Sequence, residues 1–282
     1  MPVTQQEFNL LRDFIRLNCG IQLNDDKTYL IESRLAHLVM ETGAKDFTEF
    51  YQKAKHDPSG SLRDRIVDAI TTNETLWFRD GKPWVALKEH ILPEFIKDLK
   101  EGRKRKIRIW SAASSTGQEA YSLTMLIDTL LGPSPSPEAT PASFEIIGTD
   151  ISPSVLFLAI AGRYNQIEIS RGLEEYYRDK YFTKQGVVWV LNEAIRKRVT
   201  FKKFNLQDSF APLGRFDLVL CRNVAIYFSD AFKKEIFAKI EQALNPGSPF
   251  FVGSAESLSG YTNAFKLMEY KDAIYYRKAG AT

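Results

Sequence analysis

From residue 5 to about residue 75 the apolar positions recur every three or four residues, with no convincing alternating run among them. In QEFNLLRDFIRLNCGIQL the recurring positions are Phe8, Leu11, Phe14, Ile15 and Leu17; in TYLIESRLAHLVMETG they are Leu30, Ile31, Leu35, Leu38 and Val39. That is the spacing of amphipathic helices. With FTEFYQKAK and SLRDRIVDAIT added, residues 1–80 are expected to form a small bundle of about four helices. GKPWVALKEHILPEFIKDLKEG (81–104) reads as a connecting helix. Pro83 suits its first turn, and Pro93, which has no N–H to offer, is expected to break it.

From Ile107 the pattern becomes strand, turn, helix. KIRIWSAA, FEIIGTD and FDLVLCRN are short apolar runs that end in small or polar residues and precede helical stretches. Such runs belong to a parallel sheet with crossover helices, so residues 105–282 are expected to form an α/β domain. ALNPGSPFFVGS and AIYYRKAG supply two more strands, and GPSPSPEATPAS (132–143) is a surface loop. Between about 163 and 202 the rhythm breaks; VVWVL and RVTF read as strands of a small inserted antiparallel subdomain.

Composition narrows the setting. The chain has 282 residues, 44% of them hydrophobic, enough to fill one large core or two smaller ones. It has no apolar run of 18 residues, and its first residues lack the features of a signal peptide, so a cytoplasmic protein without membrane insertion is expected. Cys19 and Cys221 sit in apolar contexts that suit buried thiols, and three histidines without ligand spacing predict no metal. A net charge of +3 without clustered basic residues does not call for nucleic acid. No long heptad demands a second copy, so a monomer is expected.

Three strand ends carry polar groups: Ser114 to Glu119 after the first, Asp150 after the second, and Arg222-Asn223 after FDLVLC. In open α/β sheets ligands bind beyond such ends. An acid at the end of the second strand can accept bonds from both ribose hydroxyls, although Asp150 also fits plain turn chemistry beside a Ser152 cap. The first turn has only Gly117, too few glycines for a pyrophosphate. A ligand with ribose, adenine and an amino-acid tail but no phosphate, such as S-adenosylmethionine, fits better. Gly117 would then let the backbone pass close to the tail. Glu119 would pair with its ammonium, unless it serves only the dipole of its helix.

Six strings in order resemble those of the CheR-type chemotaxis receptor glutamate O-methyltransferases: TTNETLWFR, IWSAASSTGQEAYSL, GTDIS, FNL, FDLVLCRNVAIYF and FVGSAESL. The resemblance spans nearly the whole chain. It implies a Rossmann-like class I S-adenosylmethionine methyltransferase sheet behind an all-α N-terminal domain, with S-adenosylhomocysteine as the cofactor product. It implies that Asn73, Thr75 and Arg79 contact cofactor or substrate, Arg79 beside the reacting centre. It further implies that Glu119 holds the methionine tail, Asp150 the ribose, Asn205 and Leu206 one side of the adenine, and Asn223 and Val224 the other. Tyr227 would stand near the transferable methyl. Taken without the family, Arg79 reads as a surface ion-pair partner, Asn205 as a turn residue and Tyr227 as a core aromatic. Ser114 and Gln118 depart from the family's usual cysteine and glutamate and remove no atom that the transfer needs.

The implied partner is the cytoplasmic domain of a chemoreceptor, whose glutamates become methyl esters. Lys27 and Arg34, with His37 nearby, are the basic residues on the second helix that would face it, or else solvated charge on an amphipathic helix. The insertion offers only Lys184-Gln185-Gly186 where relatives that grip a receptor pentapeptide have a longer glycine-containing loop, so pentapeptide-independent binding is expected. The rival reading is a binding module that senses the cofactor or its product without catalysis.

Overall fold

The structure is a computed structural model that describes residues 2–280. Four helices come first: α1 (Gln5–Cys19), α2 (Thr28–Glu41), α3 (Phe47–Lys55) and α4 (Ser61–Ile70). Thr4 and Glu7 cap the start of α1 reciprocally, and Gly20, at φ 77°, ends it. Phe8, Leu11 and Ile15 pack against Ile31, Leu35, Phe47, Phe50 and Ile66 in one small core. Leu17 is not part of it; the helix turns that residue to the outside, 74% exposed.

The connecting segment runs through α5 (Lys82–Ala86), a π turn (Leu87–Ile91) and α6 (Leu92–Lys100). It does not break at Pro93. The Leu92 N–H reaches back to the Leu87 carbonyl, five residues away, and this widened turn takes in the proline ring without ending the helix.

The second unit alternates β1 (Ile107–Ala112), α7 (Gln118–Leu131), β2 (Phe144–Asp150) and α8 (Pro153–Ala161). An insertion follows: β3 (Arg163–Asn165), α9 (Gln166–Ser170), α10 (Glu175–Tyr181), β4 (Phe182–Gln185), β5 (Val188–Leu191) and α11 (Glu193–Arg196). The chain returns through β6 (Val199–Lys203), β7 (Leu218–Cys221), α12 (Asp230–Ala243), β8 (Pro249–Phe251), β9 (Phe265–Tyr270) and β10 (Ala273–Lys278). The main sheet has the order β6-β2-β1-β7-β8-β10-β9, and β3-β5-β4 form a separate antiparallel sheet. β1, β2 and β7 are buried almost throughout, as strands covered on both faces must be.

Two details differ from the expectation. RVTF is not part of the antiparallel excursion: β6 pairs in parallel with β2, Ile146 opposite Val199, at the edge of the main sheet. β9 was not foreseen. It pairs with β10 through a two-residue turn, Lys271-Asp272, with φ 46° and 62°. Turns of that hand are usually written Asn-Gly, so Lys-Asp hides the hairpin.

The helical unit is tied to the sheet at several points. Ile21 bridges antiparallel to Phe228, and the Gln22 N–H donates to the Tyr227 carbonyl at 2.8 Å. The hydroxyls of Ser152 and Ser154 both donate to Asp68 of α4. No helix among the described residues is long and apolar enough to cross a membrane.

Candidate functional site

The strand order reverses at β1, with β2 on one side and β7 on the other. Above their carboxyl ends lies an open cleft, where ligands of such sheets bind. Asn73, Thr75, Arg79, Glu119, Asp150, Asn205, Leu206, Asn223, Val224 and Tyr227, all singled out from the sequence, line this one space. The helical unit adds Cys19, Ile21, Thr71 and Thr72 to its wall.

Backbone strain is concentrated here. Ala113, Ser115 and Asn223 line the cleft at φ 53°, 51° and 59°, and Phe78 and Asp80 flank Arg79 at 46° and 72°. Left-handed conformations at non-glycine residues persist only where the surroundings impose them. One such device is Glu256, whose carboxylate accepts the N–H groups of Asn223 at 2.7 Å, Gly253 at 2.6 Å and Ile226 at 3.2 Å. FVGSAESL carries part of the family resemblance, but nothing in the sequence gives Glu256 this task.

Gly117 has a different task from the one expected. It is not in the cleft wall; at φ 91° it caps α7, and a Cβ there would stand 3.0 Å from Phe201 and Tyr121 and 3.1 Å from Ala159. Its missing side chain serves close packing, and Ala113 to Ser115 form the wall instead.

Asp150 accepts the Ser115 N–H at 2.8 Å and the Ser152 N–H at 3.0 Å, one on each oxygen. Burial pushes its pKa up, and the backbone donors only partly offset this. Ser152 also caps α8 with Pro153 behind it, so turn chemistry and cleft exposure coexist. Each carboxylate oxygen keeps lone-pair capacity for a further donor.

Glu119 is more than a first-turn acid. It accepts the Ser111 hydroxyl at 2.8 Å and the Arg222 Nη1–H at 3.0 Å. Arg222 has a side chain only 1% exposed, and its Nη2 donates to the Arg79 carbonyl and to Asp80, both at 2.8 Å. The sequence reading noted Arg222 at a strand end and assigned it nothing. The signal available was its place directly after a fully apolar strand.

Arg79 itself donates Nη1 to the Glu74 carbonyl at 3.1 Å. Asn205 accepts the Gln207 N–H at 3.0 Å in a local turn and donates to the Asn18 carbonyl at 2.8 Å, so its amide is engaged by structure while the residue borders the cleft. Tyr227 is half-buried against the core beside the cleft. Cys19 in the wall is a buried thiol pushed up to about 11 by desolvation, which leaves it inert as a nucleophile near neutral pH.

The lip of the cleft, residues 73–79, is anchored outside it. Trp77 is fully buried, edge-on to Tyr164 at 4.9 Å and Phe182 at 5.3 Å. Its Nε1 donates to the Glu168 carbonyl at 3.0 Å and its N–H to the Arg171 carbonyl at 3.1 Å. Gly172 lies against the Trp77 carbonyl with no room for a Cβ.

Of the two basic residues proposed to face a partner, Arg34 is committed internally. Its guanidinium donates to the Ile70 carbonyl at 2.6 Å, the Thr71 carbonyl at 3.1 Å and the Thr72 hydroxyl at 3.2 Å, closing the end of α4. Lys27 remains solvent-facing beside Asp26, an ion pair of 3.5 Å. No group of histidine, cysteine, aspartate or glutamate able to hold a metal occurs among the described residues.

Two family models match the chain: "CheR methyltransferase, all-alpha domain" over residues 6–71, and "CheR methyltransferase, SAM binding domain" over residues 73–274. The Chemotaxis protein methyltransferase Cher2 of Pseudomonas putida is 41% identical over 282 residues, covering 98% of this chain and 99% of that protein. Chemotaxis protein methyltransferase 1 of Pseudomonas aeruginosa is 43% identical with the same coverage. A Chemotaxis protein methyltransferase of Vibrio anguillarum is 38% identical over 278 residues, covering 98% of each.

Proposed function

The chain belongs to the CheR methyltransferase family, whose larger domain binds S-adenosylmethionine, and on that premise we propose that it methylates glutamate side chains on the cytoplasmic helices of chemoreceptors. The observation that carries the proposal is the convergence of ribose-type, tail-type and carboxylate-type partners in one cleft, namely Asp150, Glu119 and Arg79.

The bound cofactor supplies a methyl group on a cationic sulfur. A glutamate carboxylate has a free pKa of about 4.3 and is ionised at neutral pH, so the attacking oxygen needs no general base. Asp150 accepts the ribose hydroxyls on the lone pairs left free by its two backbone donors. Phe204, Leu206 and Val224 offer the apolar wall that a flat base requires. Arg79 holds the incoming carboxylate by charge-assisted hydrogen bonds, and the Tyr227 hydroxyl fixes its second oxygen. Opposite charges are annihilated as methyl transfer proceeds, so a cleft that excludes water favours the step. Alignment of the reacting groups can contribute about 7–11 kcal/mol in favourable cases.

The proposal includes independence from a receptor C-terminal pentapeptide. Its support is the β4–β5 hairpin: Gln185 pairs directly with Val188, leaving a two-residue turn, Gly186-Val187, and no loop to wrap a tether. Lys27 is the cation proposed to face the receptor.

Incubation with tritiated cofactor and a panel of receptor cytoplasmic domains tests all of this. Base-labile methanol release is expected, equal for receptors with and without their C-terminal tails, and reduced at least tenfold by Arg79→Ala, a loss of about 1.4 kcal/mol or more. Absence of a methyl ester on every receptor, with cofactor still bound, would identify a binding module instead.

A further inference from the structure

Residues 71–81 contain no helix or strand, so the lip of the cleft lacks the bonds that hold a regular element in shape. Its two ends are fixed from the sheet side. The Ser115 hydroxyl donates to the Asn73 carbonyl at 2.7 Å, and the Arg79 carbonyl accepts from Arg222 at 2.8 Å and from Trp84 Nε1 at 3.0 Å. The middle is held differently. Among the described residues, every hydrogen bond that leaves residues 74–77 for a residue outside the lip goes to the insertion: the Glu74 carboxylate to Arg171, Trp77 Nε1 to the Glu168 carbonyl, and the Trp77 N–H to the Arg171 carbonyl.

The reacting end depends on that middle. The Arg79 backbone is tied to the sheet, but its guanidinium rests on the Glu74 carbonyl at 3.1 Å, five residues back along the lip. Whatever places Glu74 therefore aims the guanidinium. The Arg171–Glu74 ion pair is exposed on both sides and adds little. The indole of Trp77 is fully buried between Tyr164 and Phe182, and a buried aromatic ring of this kind hides about 150–250 Å² from water. It is the stronger hold.

Accepting the reading above that Arg79 holds the incoming carboxylate, we infer that Trp77 is a positioning residue for methyl transfer: the insertion grips its indole, the indole fixes residues 74–77, and the Glu74 carbonyl aims the Arg79 guanidinium. Trp77 does not itself line the cleft. It acts on the alignment of the acceptor, where a misplacement of about 1 Å can cost on the order of a hundredfold in rate. The cofactor walls at the ends of β1, β2 and β7 are held without it.

Two substitutions test the inference from opposite sides. Gly172, at φ 89° in an exposed turn of the insertion, faces the Trp77 carbonyl, and the Cβ of Gly172→Ala would displace that carbonyl from outside. Trp77→Leu removes the ring from inside. Each is expected to lower kcat for transfer of tritiated methyl to a receptor cytoplasmic domain by at least about tenfold, while calorimetry finds affinity for S-adenosylhomocysteine within about threefold of wild type. Trp77→Phe, which returns a ring to the space between Tyr164 and Phe182, should regain most of the loss. In an Arg79→Ala background either substitution should cost less than about twofold, because its route to the chemistry is gone. If Trp77→Leu does not fold, Gly172→Ala and Trp77→Phe carry the test. An unchanged kcat, a loss of cofactor affinity as large as the loss of kcat, or the full loss persisting without Arg79 would each overturn the role of Trp77 and leave the proposed activity standing. Wild-type protein that transfers no methyl would overturn both.

Discussion

Replacing Glu256 isolates the force that holds the strained loop at the cleft. Its carboxylate takes three N–H groups, from Asn223, Gly253 and Ile226. A hydrogen bond to an ionised group contributes about 1.5–3 kcal/mol net. Ile226 is 49% exposed, so water can replace its bond and its share is set near zero. Gly253 is buried, and a Cβ there would stand 2.6 Å from the Asn223 side chain, so the loop has no slack in which to find other partners. Two bonds at the lower figure give about 3 kcal/mol for Glu256→Ala. Glu256→Gln retains one acceptor oxygen and should lose about half of that. Native-state hydrogen exchange measures the effect where it acts. The amides of Asn223 and Gly253 should exchange about a hundredfold faster in Glu256→Ala, with affinity for S-adenosylhomocysteine reduced in parallel. Exchange within about twofold of wild type at both amides would refute the reasoning, because the loop's left-handed turn would then be held by something else.

Asp150, with its pKa raised by burial, becomes protonated at a higher pH than a free aspartate, whose value is about 3.9. It is charged and accepting above the raised value and neutral below it, so affinity for S-adenosylhomocysteine should fall as pH drops towards that value. Asp150→Asn should bind weakly throughout and lack that acid limb in a titration of affinity against pH. Gly117→Ala should cost about 1–3 kcal/mol of stability, since φ 91° and ring contacts at 3.0 Å both oppose a Cβ; thermal denaturation checks this, and cofactor affinity per folded molecule should change little. Arg34→Ala should cost about 1–2 kcal/mol by freeing the last carbonyls of α4, whereas Lys27→Ala should leave stability unchanged and raise the receptor KM only at low salt. An Arg34→Ala protein as stable as wild type in denaturant would restore that arginine to the surface.

Apolar spacing was sufficient for the helical unit and the buried parallel strands, because core burial and chain periodicity coincide there. It misled at β6, where RVTF closes the stretch in which the strand-helix rhythm breaks and was grouped with it, and at Pro93, where a widened turn is invisible in composition. In the cleft, Glu119, Asp150 and Asn223 were legible as polar groups at strand ends, whereas Asn73, Thr75, Arg79, Asn205, Leu206, Val224 and Tyr227 were reached only through the family resemblance. The tasks of Arg222 and Glu256 were not legible, because they are defined by contacts across large sequence separations, 103 residues from Arg222 to Glu119 and 33 from Glu256 to Asn223. Gly117 shows the opposite error. A glycine at a strand-to-helix bend suggests ligand approach, yet only the packed rings of Phe201 and Tyr121 reveal what its bareness is for.

The seating of Trp77 between Tyr164 and Phe182 makes the small sheet a foundation as well as an ornament of the enzyme. The tip of the β4–β5 hairpin stands in solvent, with Val187 86% exposed, while the floor on which the indole rests is buried. An engineer who grafts this subdomain from a relative must therefore transplant the indole and its socket as one cassette. A graft that ignores the match would unseat the segment that brings Asn73, Thr75 and Arg79 to the lip of the cleft.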